Sequence, residues 1–469
     1  MQRKSITIIG GGFSGSMLAV QLARLAGDQP FACDVHLVEP RPVPGPGLAY
    51  TARRPEYLLN VRSEALSAFP DQPDHFENWL RITGPPEYCA QDFCSRQNYG
   101  RYLQQLVGQV LEWPSLNGIK GHWHNQTARS ITLNPDGGPG AVVRLRNDTI
   151  IRTDYVVLAL GNFPPPPPTR GTGSTAYLNA PTYHGNPWAV GALRDIASDE
   201  SVLLIGTGLT AVDILLGLRA DGHRGPVTVV SEHGRWPVAH CASAAPYPSF
   251  YAAELAGLTT VGEVLRVVHR HLRASHAQNH DWRPVLDCLR PDLGRIWAAW
   301  PLAEQARFLR HLASRWSVAR HRSPPGNAAI LREMLDSGSV KQETGRVQAI
   351  MATPEGLQVQ VQQKVGVART LVAQHVINCT GPLLDYTRIQ SHLVKDLREE
   401  GYLVPDPLRL GIITDNHGAL INAAGQASEV LFTLGASRRP AYFESTAVPE
   451  LRAQAVAMAQ ELGLRLQSS

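Results

Sequence analysis

The sequence of 469 residues has little cysteine and no long apolar run. Its six cysteines are scattered at positions 33, 89, 94, 241, 288 and 379, so a disulfide framework is not expected and a reducing cytoplasm is favoured. No apolar run reaches the ~20 residues that a membrane helix needs. The opening MQRKSITIIGGG has a basic start, but its apolar run breaks at Gly10, too early for a signal peptide. We therefore expect a soluble, cytoplasmic protein without a membrane partner.

Charged residues and familiar hydrolase motifs are also sparse. Charged side chains make up 18% of the chain and the formal net charge is +4, so nucleic acid is not an expected partner. The patterns GxSxG and HExxH are missing, and with them two common hydrolase signatures. Histidine pairs such as His122 and His124 have no nearby set of cysteine or carboxylate partners, so no metal site is predicted.

Glycine, in contrast, is concentrated in a predicted strand–turn–helix unit near the N-terminus, SITIIGGGFSGSMLAVQLARL (residues 5–25). Its turn and helix start contain Gly10, Gly11, Gly12, Ser14 and Gly15. Gly10 permits a tight turn, Gly12 lets the backbone approach a pyrophosphate, and Gly15 lets the helix pack closely on the strand. The anion then lies on free backbone N–H groups at the helix N-terminus. Glu39 ends the next predicted strand, where a carboxylate can accept hydrogen bonds from an adenosine ribose, so the unit predicts a dinucleotide site.

A second unit of the same kind, LLIGTGLTAVDILL (residues 203–216), lies in the middle of the chain. Its turn and helix start contain Gly206, Gly208, Leu209 and Thr210. The following strand ends at Ser231, which would not repel a 2′-phosphate, and Arg235 lies close enough in sequence to contact one. Glu232 argues for a ribose diol instead. We expect a nicotinamide cofactor here, with NADPH mildly preferred and NADH an alternative.

Apolar strands and helical periodicity predict an α/β fold with two Rossmann-like dinucleotide-binding domains and a helical insertion. We assign residues 1–190 and 340–469 to a discontinuous first domain, which contains the N-terminal glycine unit. Residues 191–339 form the predicted NAD(P)H-binding domain, with a helical segment at 251–335. The run PPPPP (residues 164–168) is expected to be an extended, stiff connector that marks a crossing between the domains.

Several stretches together resemble the FAD/NAD(P)-binding proteins, a group of predicted flavoproteins with two dinucleotide-binding domains. They include GGGFSG, GPGLAYTARRPEYLLNV (residues 45–61), RQNYGRYL (96–103), GTGLTAVD, INCTGP and ESTAVPELR (444–452). The layout is also similar to that of flavin monooxygenases that N-hydroxylate amines and amino acids. That similarity implies FAD at the N-terminal glycines and NADPH at the central ones, so residues 1–190 and 340–469 would form the FAD-binding domain.

The resemblance also implies further contacts with the flavin. Asn60 in LLNV is expected to reach the flavin or its diphosphate, Gly161 follows a connecting strand, and Gly435 would face the ribityl or ring side. The nominated catalytic or substrate-anchoring residues are His240 and Glu444, with Arg439 for a substrate carboxylate. Each of these three is equally well explained as a hydrogen-bonded structural residue.

The favoured function is an FAD-dependent, NAD(P)H-using monooxygenase that acts on a small amine or amino acid through a C4a-hydroperoxyflavin, with molecular oxygen as co-substrate. One alternative is an NAD(P)H:acceptor reductase or oxidase, because the histidine-containing fingerprint of the monooxygenases is missing before Gly206. Another is a flavin-binding sensor or scaffold with little turnover. Cys89 and Cys94 have the spacing of a redox disulfide but follow the first acidic strand end too late, so ordinary packed thiols are favoured.

Overall fold

The computed structural model describes residues 3–29, 31–51, 54–84, 92–112, 115–134, 140–169, 175–241, 245–364 and 366–467. The helices of these residues are α1 Phe13–Asp28, α2 His75–Thr83, α3 Arg96–Glu112, α4 Leu209–Ala220, α5 Val261–Ala277, α6 Arg283–Asp287, α7 Leu293–Ala299, α8 Leu302–His311, α9 Ala313–Arg320, α10 Pro325–Asp336, α11 His392–Glu399, α12 Arg439–Tyr442 and α13 Val448–Gln467. None of them is long and apolar enough to span a membrane.

The strands of the described residues form four sheets. They are β1 Lys4–Ile9, β2 Cys33–Val38, β3 Ile119–His124, β4 Ala128–Leu133, β5 Ala141–Leu145, β6 Ile150–Thr153, β7 Tyr155–Leu158, β8 Tyr183–His184, β9 Val202–Ile205, β10 Val227–Ser231, β11 Val340–Thr344, β12 Arg346–Thr353, β13 Gly356–Gln362, β14 Arg369–Ala373, β15 His375–Asn378, β16 Ala419–Ile421 and β17 Ala427–Thr433.

The first large sheet has the order β16-β17-β7-β1-β2-β3 and is parallel except for the β16–β17 pair. It contains strands from both ends of the chain, because β17 pairs with β7. Helices α1, α3 and α13 cover one face, while the antiparallel sheet β4-β5-β6 and α11 cover the other. Burial on both faces explains why β1 and β7 are continuous apolar runs.

The second large sheet has the order β11-β10-β9-β15-β8 and is parallel throughout. Helices α4 and α10 pack on one face, and the antiparallel sheet β12-β13-β14 packs on the other. The two large sheets share one plan: a glycine turn joins one strand, β1 or β9, to a helix, and a three-stranded sheet precedes the parallel strand, β7 or β15, that pairs with it. The predicted fold of two Rossmann-like domains is confirmed.

The predicted domain boundaries are wrong at both ends of the second domain. Residues 340–378 were assigned to the FAD-binding domain, yet β11 pairs with β10 and β15 pairs with β9. Strand β8, inside the predicted range 1–190, pairs with β15. The reason is that both domains need a parallel strand beside the strand that precedes the glycine turn: β7 beside β1, and β15 beside β9. The turn after β9 packs on the chain that leaves β15, just as the turn after β1 packs on the chain that leaves β7.

Most of the helical segment packs against the first domain and not against the second sheet. Helices α5 to α9 surround a core containing Trp297, Trp300 and Phe308, and this core includes Leu410 and Phe443 from the C-terminal part of the first domain. Of the helices in this segment, α10 instead joins α4 on the second sheet. The assignment of the whole segment 251–335 to the NAD(P)H-binding domain is therefore corrected: most of it forms a separate cluster against the first domain.

The chain crosses between the domains at two adjacent points. The prolines at 164–168 lead away from β7, and the carbonyl of Pro166 accepts a hydrogen bond from Asn378 Nδ2 at 2.8 Å. On the return, Leu383 forms an isolated β-bridge with Phe163, and its N–H donates to the Phe163 carbonyl at 3.3 Å. The two connections therefore run side by side.

Candidate functional site

The first glycine turn is shaped by close backbone contacts. Gly10 has φ +110°, and a Cβ atom there would overlap the carbonyl oxygen of Ala159. A Cβ on Gly15 would overlap the Gly10 carbonyl, so glycine is required for α1 to approach β1. Gly12 is the N-cap of α1, and a Cβ there would lie 3.4 Å from Gly47 Cα.

The N-terminus of α1 has the properties of an anion site. No side chain caps it, and its first turn contains no acidic residue. The first backbone N–H groups of a helix have no partner within the helix and carry a partial positive charge. A phosphate is the ligand that such an end favours.

Glu39 lies buried beside this turn, with only 2% of its surface exposed. Its Oε2 accepts from the N–H of Gly11 at 2.8 Å, and its Oε1 accepts from the N–H of Arg41 at 2.9 Å. The guanidinium of Arg41 lies 3.2 Å from Oε1. These bonds hold the carboxylate in one orientation. Oε1 accepts twice from Arg41, whereas Oε2 accepts once and keeps a lone pair that a ribose hydroxyl can use.

The second glycine turn repeats the geometry of the first. Gly206 has φ +111°, and a Cβ there would lie 2.6 Å from the carbonyl oxygen of Cys379. Gly208 is the N-cap of α4, and a Cβ on it would meet only open space. Leu209 begins the helix, so the backbone N–H groups from Leu209 onward also have the properties of an anion site.

The residues after β10 form a compact turn beside this site. The hydroxyl of Thr207 lies 3.0 Å from Ser231 Oγ and 2.7 Å from the Arg235 carbonyl, and Ser231 Oγ accepts from the N–H of Gly234 at 3.0 Å. Glu232 forms an exposed ion pair with Arg346 of β12. That pairing offsets the carboxylate charge that would repel a 2′-phosphate.

A cleft of about 290 Å³ lies where the two turns meet. Gly10, Gly12, Ser14 and Glu39 line it from the first domain, and Gly161 lies on the crossing that leaves β7. Thr210 and Gly381 line it from the second domain. The cleft is therefore bordered by the helix starts of both glycine units.

The cleft wall also contains residues that the motif analysis did not single out. They are Gly47 and Tyr50 from the stretch GPGLAY, Arg96 at the start of α3, and Trp188 before β9. Gly47, Tyr50 and Arg96 lie within stretches that carry the family resemblance. That resemblance was the feature of the sequence from which their place at the site could have been predicted. Burial raises the pKa of the Tyr50 hydroxyl to about 12, so it is a neutral donor at physiological pH.

His240 is not among the residues that line the cleft. Its Nε2 lies 3.0 Å from the carbonyl oxygen of Asn60, so Nε2–H is the donor. Burial, reinforced by Arg322 and Arg62, lowers the pKa of the imidazole to about 4. Residues 239 and 323 form an isolated β-bridge, and His240 follows directly after it. The neutral His240 side chain therefore connects this bridge to Asn60 in the first domain. Asn60 contributes its carbonyl to this contact and does not line the cleft.

Glu444 and Arg439 lie between the helical segment and the C-terminal part of the first domain. Glu444 accepts from Trp316 Nε1 at 3.1 Å and pairs with Arg320 at 3.2 Å, with both charged side chains largely buried. Arg439 packs its guanidinium over the Phe443 ring, 5.2 Å from the centroid. Neither nominee lines the cleft, although Ser445 and Thr446, which follow Glu444, do.

Gly435 connects the C-terminal segment to the first glycine turn. It has φ +88°, and a Cβ on it would lie 2.8 Å from Ser14 Oγ. Its N–H donates to Gln454 Oε1 at 2.9 Å, and its carbonyl accepts from Ser445 Oγ at 2.6 Å. The contact with Ser14 places the segment after β17 against the predicted pyrophosphate site.

The remaining sequence candidates are thiols and metal ligands. Cys89 lies outside the described residues. Burial raises the pKa of the Cys94 thiol to about 12, which makes it unreactive at neutral pH. Within the part of the chain that the structure describes, no group of three or more His, Cys, Asp or Glu side chains is arranged to hold a metal ion.

Comparison with known proteins supports the dinucleotide character of the site. Residues 7–163 match the model of a family described as FAD-NAD(P)-binding. This match includes the first glycine turn, Glu39 and the whole of β7, and covers about a third of the chain. Among curated proteins, none matches this sequence.

Solved structures share the fold across almost the whole chain. The reduced form of the ornithine hydroxylase of Pseudomonas aeruginosa is 15% identical with a TM-score of 0.67, covering 99% of this chain and 100% of that one. L-Lysine 6-monooxygenase from Pseudomonas syringae is 16% identical with a TM-score of 0.65, at the same two coverages. A bacillithiol disulfide reductase from Bacillus cereus is 14% identical with a TM-score of 0.54, again at 99% and 100%.

These similarities establish the fold of the chain, but they do not identify the reaction that it catalyses. The same architecture is found in N-hydroxylating monooxygenases and in a disulfide reductase, so the fold alone does not select a reaction. Residues 7–163 match the FAD-NAD(P)-binding family, and the chain as a whole has the fold of flavoproteins with two dinucleotide-binding domains.

Proposed function

We propose that the protein is an FAD-dependent, NADPH-using oxidoreductase that N-hydroxylates a small amine or amino acid with molecular oxygen. The observation that carries the proposal is the single cleft bordered by both glycine units, with Gly12 on one side and Thr210 on the other. Two dinucleotides held on opposite sides of one cleft can bring a hydride donor and a hydride acceptor together. NADH is the alternative donor.

The residues of the first turn fit FAD. Gly12 leaves room where a side chain would meet an incoming diphosphate, and the uncapped N-terminus of α1 supplies N–H donors. Glu39 is oriented for an adenosine ribose. The buried Nε of Arg96, on the cleft wall, has no hydrogen-bond partner among the described residues. An unpaired buried donor of this kind is suited to an acceptor atom of a bound cofactor.

When bound, FAD would supply the redox chemistry of the proposed reaction, namely hydride acceptance from NADPH and activation of oxygen. The chain binds and orients the cofactors. Phe13, Leu48 and Tyr50 give the cleft an apolar wall that limits water, which matters because water promotes loss of activated oxygen as peroxide. Thr210 and the N-terminus of α4 would hold the NADPH diphosphate on the opposite side.

The solved structures support the oxygenase form of the proposal through their printed activities. The Pseudomonas aeruginosa relative is described as an ornithine hydroxylase and the Pseudomonas syringae relative as an L-lysine 6-monooxygenase. We therefore expect a primary amine on a short chain as the substrate.

The test is to purify the protein, measure its flavin content, and follow NADPH oxidation, oxygen uptake and peroxide release with L-ornithine, L-lysine and a simple diamine. Formation of a hydroxylamine, with peroxide falling as the amine is added, supports the proposal. NADPH oxidation that yields only peroxide with every amine overturns the oxygenase and favours an oxidase or acceptor reductase. A protein that takes up FAD without oxidising NADPH supports the flavin-binding sensor instead.

A further inference from the structure

One face of α4 is a regular contact surface toward the first domain. Asp213, Gly217 and Asp221 are spaced four residues apart and therefore share one side of the helix. They meet Arg96, Tyr57 and Arg54 of the first domain in the same order. We call Asp213, Gly217 and Asp221 the α4 stripe.

The buried end of the stripe is an ion pair between the domains. Arg96 Nη2 lies 3.2 Å from Asp213 Oδ2, and the two side chains are 16% and 5% exposed. At the solvent end, Asp221 pairs with Arg54, where the side chains are 47% and 31% exposed. Exposed pairs contribute little, whereas loss of one partner of a buried pair leaves an uncompensated charge. The Asp213 pair is therefore the stronger contact.

At the middle of the stripe, Gly217 has no side chain, and the close contact with Tyr57 requires this. A Cβ on Gly217 would overlap the hydroxyl oxygen of the buried Tyr57. The Tyr57 ring makes an edge contact with Trp188, with ring centroids 5.7 Å apart. Glycine thus lets the first domain approach α4 closely enough for the two ion pairs to form.

Arg96 links the stripe to the cleft. It lines the cleft wall, its guanidinium carbon lies 6.0 Å from the Trp188 ring centroid, and its hydrogen bond to Asp213 leaves the buried Nε unpaired. Asp213 itself lies three residues beyond Thr210, which lines the cleft from α4. Movement of the Asp213 carboxylate would therefore move both Arg96 and the start of the nicotinamide unit.

We propose that Asp213 is a positioning residue, which holds the Arg96 guanidinium on the cleft wall and thereby sets the distance between the nicotinamide and flavin units. This inference rests on the proposed function and deepens it, because it assigns the coupling between the two cofactor sites to one residue pair. The Arg96 side chain then presents its unpaired Nε–H to a bound cofactor, while the α4 stripe holds the second domain in place.

The pair is expected to respond to pH. Burial raises the pKa of Asp213 to about 6, against the opposing effect of Arg96. The other titratable groups that face it are Tyr57 and Cys379, whose pKa values burial raises above the neutral range and the Asp213 charge raises further. Both stay neutral below pH 8, so Asp213 is the group that changes charge. Below about pH 6 its carboxylate is protonated and the ion pair is lost.

The kinetic test is the anaerobic rate of flavin reduction by NADPH between pH 5 and pH 8. The wild type should slow as the pH falls through about 6. Asp213→Asn should be about tenfold slower or worse at pH 7.5 and should lose that pH dependence, because small misplacements of reacting groups are costly. Glu333→Gln is the matched control, since it removes a carboxylate that pairs with Arg219 on the opposite, intradomain side of α4 at 3.1 Å. It should follow the wild type.

A second pair of variants keeps the test informative if Asp213→Asn folds poorly. Gly217→Ala keeps both charged residues of the pair but should hold the domains apart, weaken the pair and slow flavin reduction. Tyr57→Phe/Gly217→Ala should recover much of the rate because the overlapping oxygen is gone. Equal rates and pH profiles in all variants would overturn the proposal.

Small-angle X-ray scattering separates this inference from the proposed function. Asp213→Ala and wild type at pH 5 should both be more extended than wild type at pH 7.5, in protein without added cofactor. Identical scattering curves would overturn the positioning role even if the enzyme is active. A changed curve in a protein that never oxidises NADPH would support the domain contact and remove only the proposed function.

Discussion

At the scale of single residues, the two glycine turns are equivalent in geometry and different in what surrounds them. A side chain on Gly12 would face the neighbouring Gly47, whereas a side chain on Gly208 would meet open space. Neither position needs glycine for its backbone angles, because both N-cap residues have negative φ. The absence of a side chain at these two positions is therefore best explained by the approach of a ligand.

This equivalence gives a paired prediction. Gly12→Val should abolish FAD binding, because its side chain would occupy the place of the diphosphate. Gly208→Val should retain FAD but lose reduction by NADPH, since it blocks only the second turn. The visible spectrum of the purified variants and their reduction by NADPH and by dithionite measure both effects. A yellow Gly12→Val protein would show that the two sites have been assigned wrongly.

The buried His240 is expected to make the folded protein less stable in acid. An exposed histidine binds a proton near pH 6.5, whereas burial lowers the pKa of His240 to about 4. Between these values the unfolded chain binds a proton that the folded chain does not, so stability falls as pH drops from 6.5 to 4. After allowance for its solvent-exposed part, His240 should account for a loss on the order of 1 kcal/mol.

His240→Gln should remove this part of the loss while its amide still donates to the Asn60 carbonyl. Urea unfolding at pH 7 and pH 4.5 measures the difference, with His276→Gln on the exposed face of α5 as control. The same acid sensitivity in both variants would mean that His240 is protonated in the folded protein.

At the scale of elements, the C-terminal segment between β17 and α13 is held by the helical segment. The buried pair of Glu444 with Arg320, the hydrogen bond from Trp316, and the core around Phe443 all join these parts. The segment then reaches the cleft through Ser445 and Thr446. The helical segment therefore acts on the site by positioning this loop.

The ion pair can be tested by its effect on stability. Glu444→Ala should lower the free energy of unfolding by about 3 kcal/mol, because it leaves Arg320 buried without its partner. Glu399→Ala is the matched control: its pair with Lys395 on α11 is exposed at 3.7 Å and should contribute less than about 0.5 kcal/mol. Full stability of Glu444→Ala together with lost turnover would favour the catalytic role that the sequence suggested.

The glycine units could be predicted because each is a local pattern of about thirty residues. The strand, the turn and the acidic strand end at Glu39 lie close together in the chain, so their chemistry is readable without a fold. The assignment of β11 and β15 could not be read in this way. Val340 pairs with Val227 and His375 with Val202, partners more than a hundred residues away, and apolar strands of this kind fit either sheet.

At the scale of the whole molecule, the least predictable feature is the contact between the domains. Arg96 and Asp213 are separated by 117 positions in the sequence. Each lies in a stretch that carries the family resemblance, yet nothing local pairs them. Glu444 and His240 illustrate the opposite difficulty: a polar residue among aromatic ones has the same sequence signature whether it contacts a ligand or joins two parts of the fold.

The crossing at Phe163 and Leu383 has a consequence for how this architecture can be altered. Because the chain leaves the first domain and returns to it at neighbouring points, the second domain is an insertion whose two ends coincide in space. An insertion of this kind leaves the strand order of its host unchanged, whatever its length. One continuous stretch of the gene therefore encodes everything between the two crossings, and the second sheet with its helices can be exchanged there without rethreading the first domain, provided that α5 to α9 are kept.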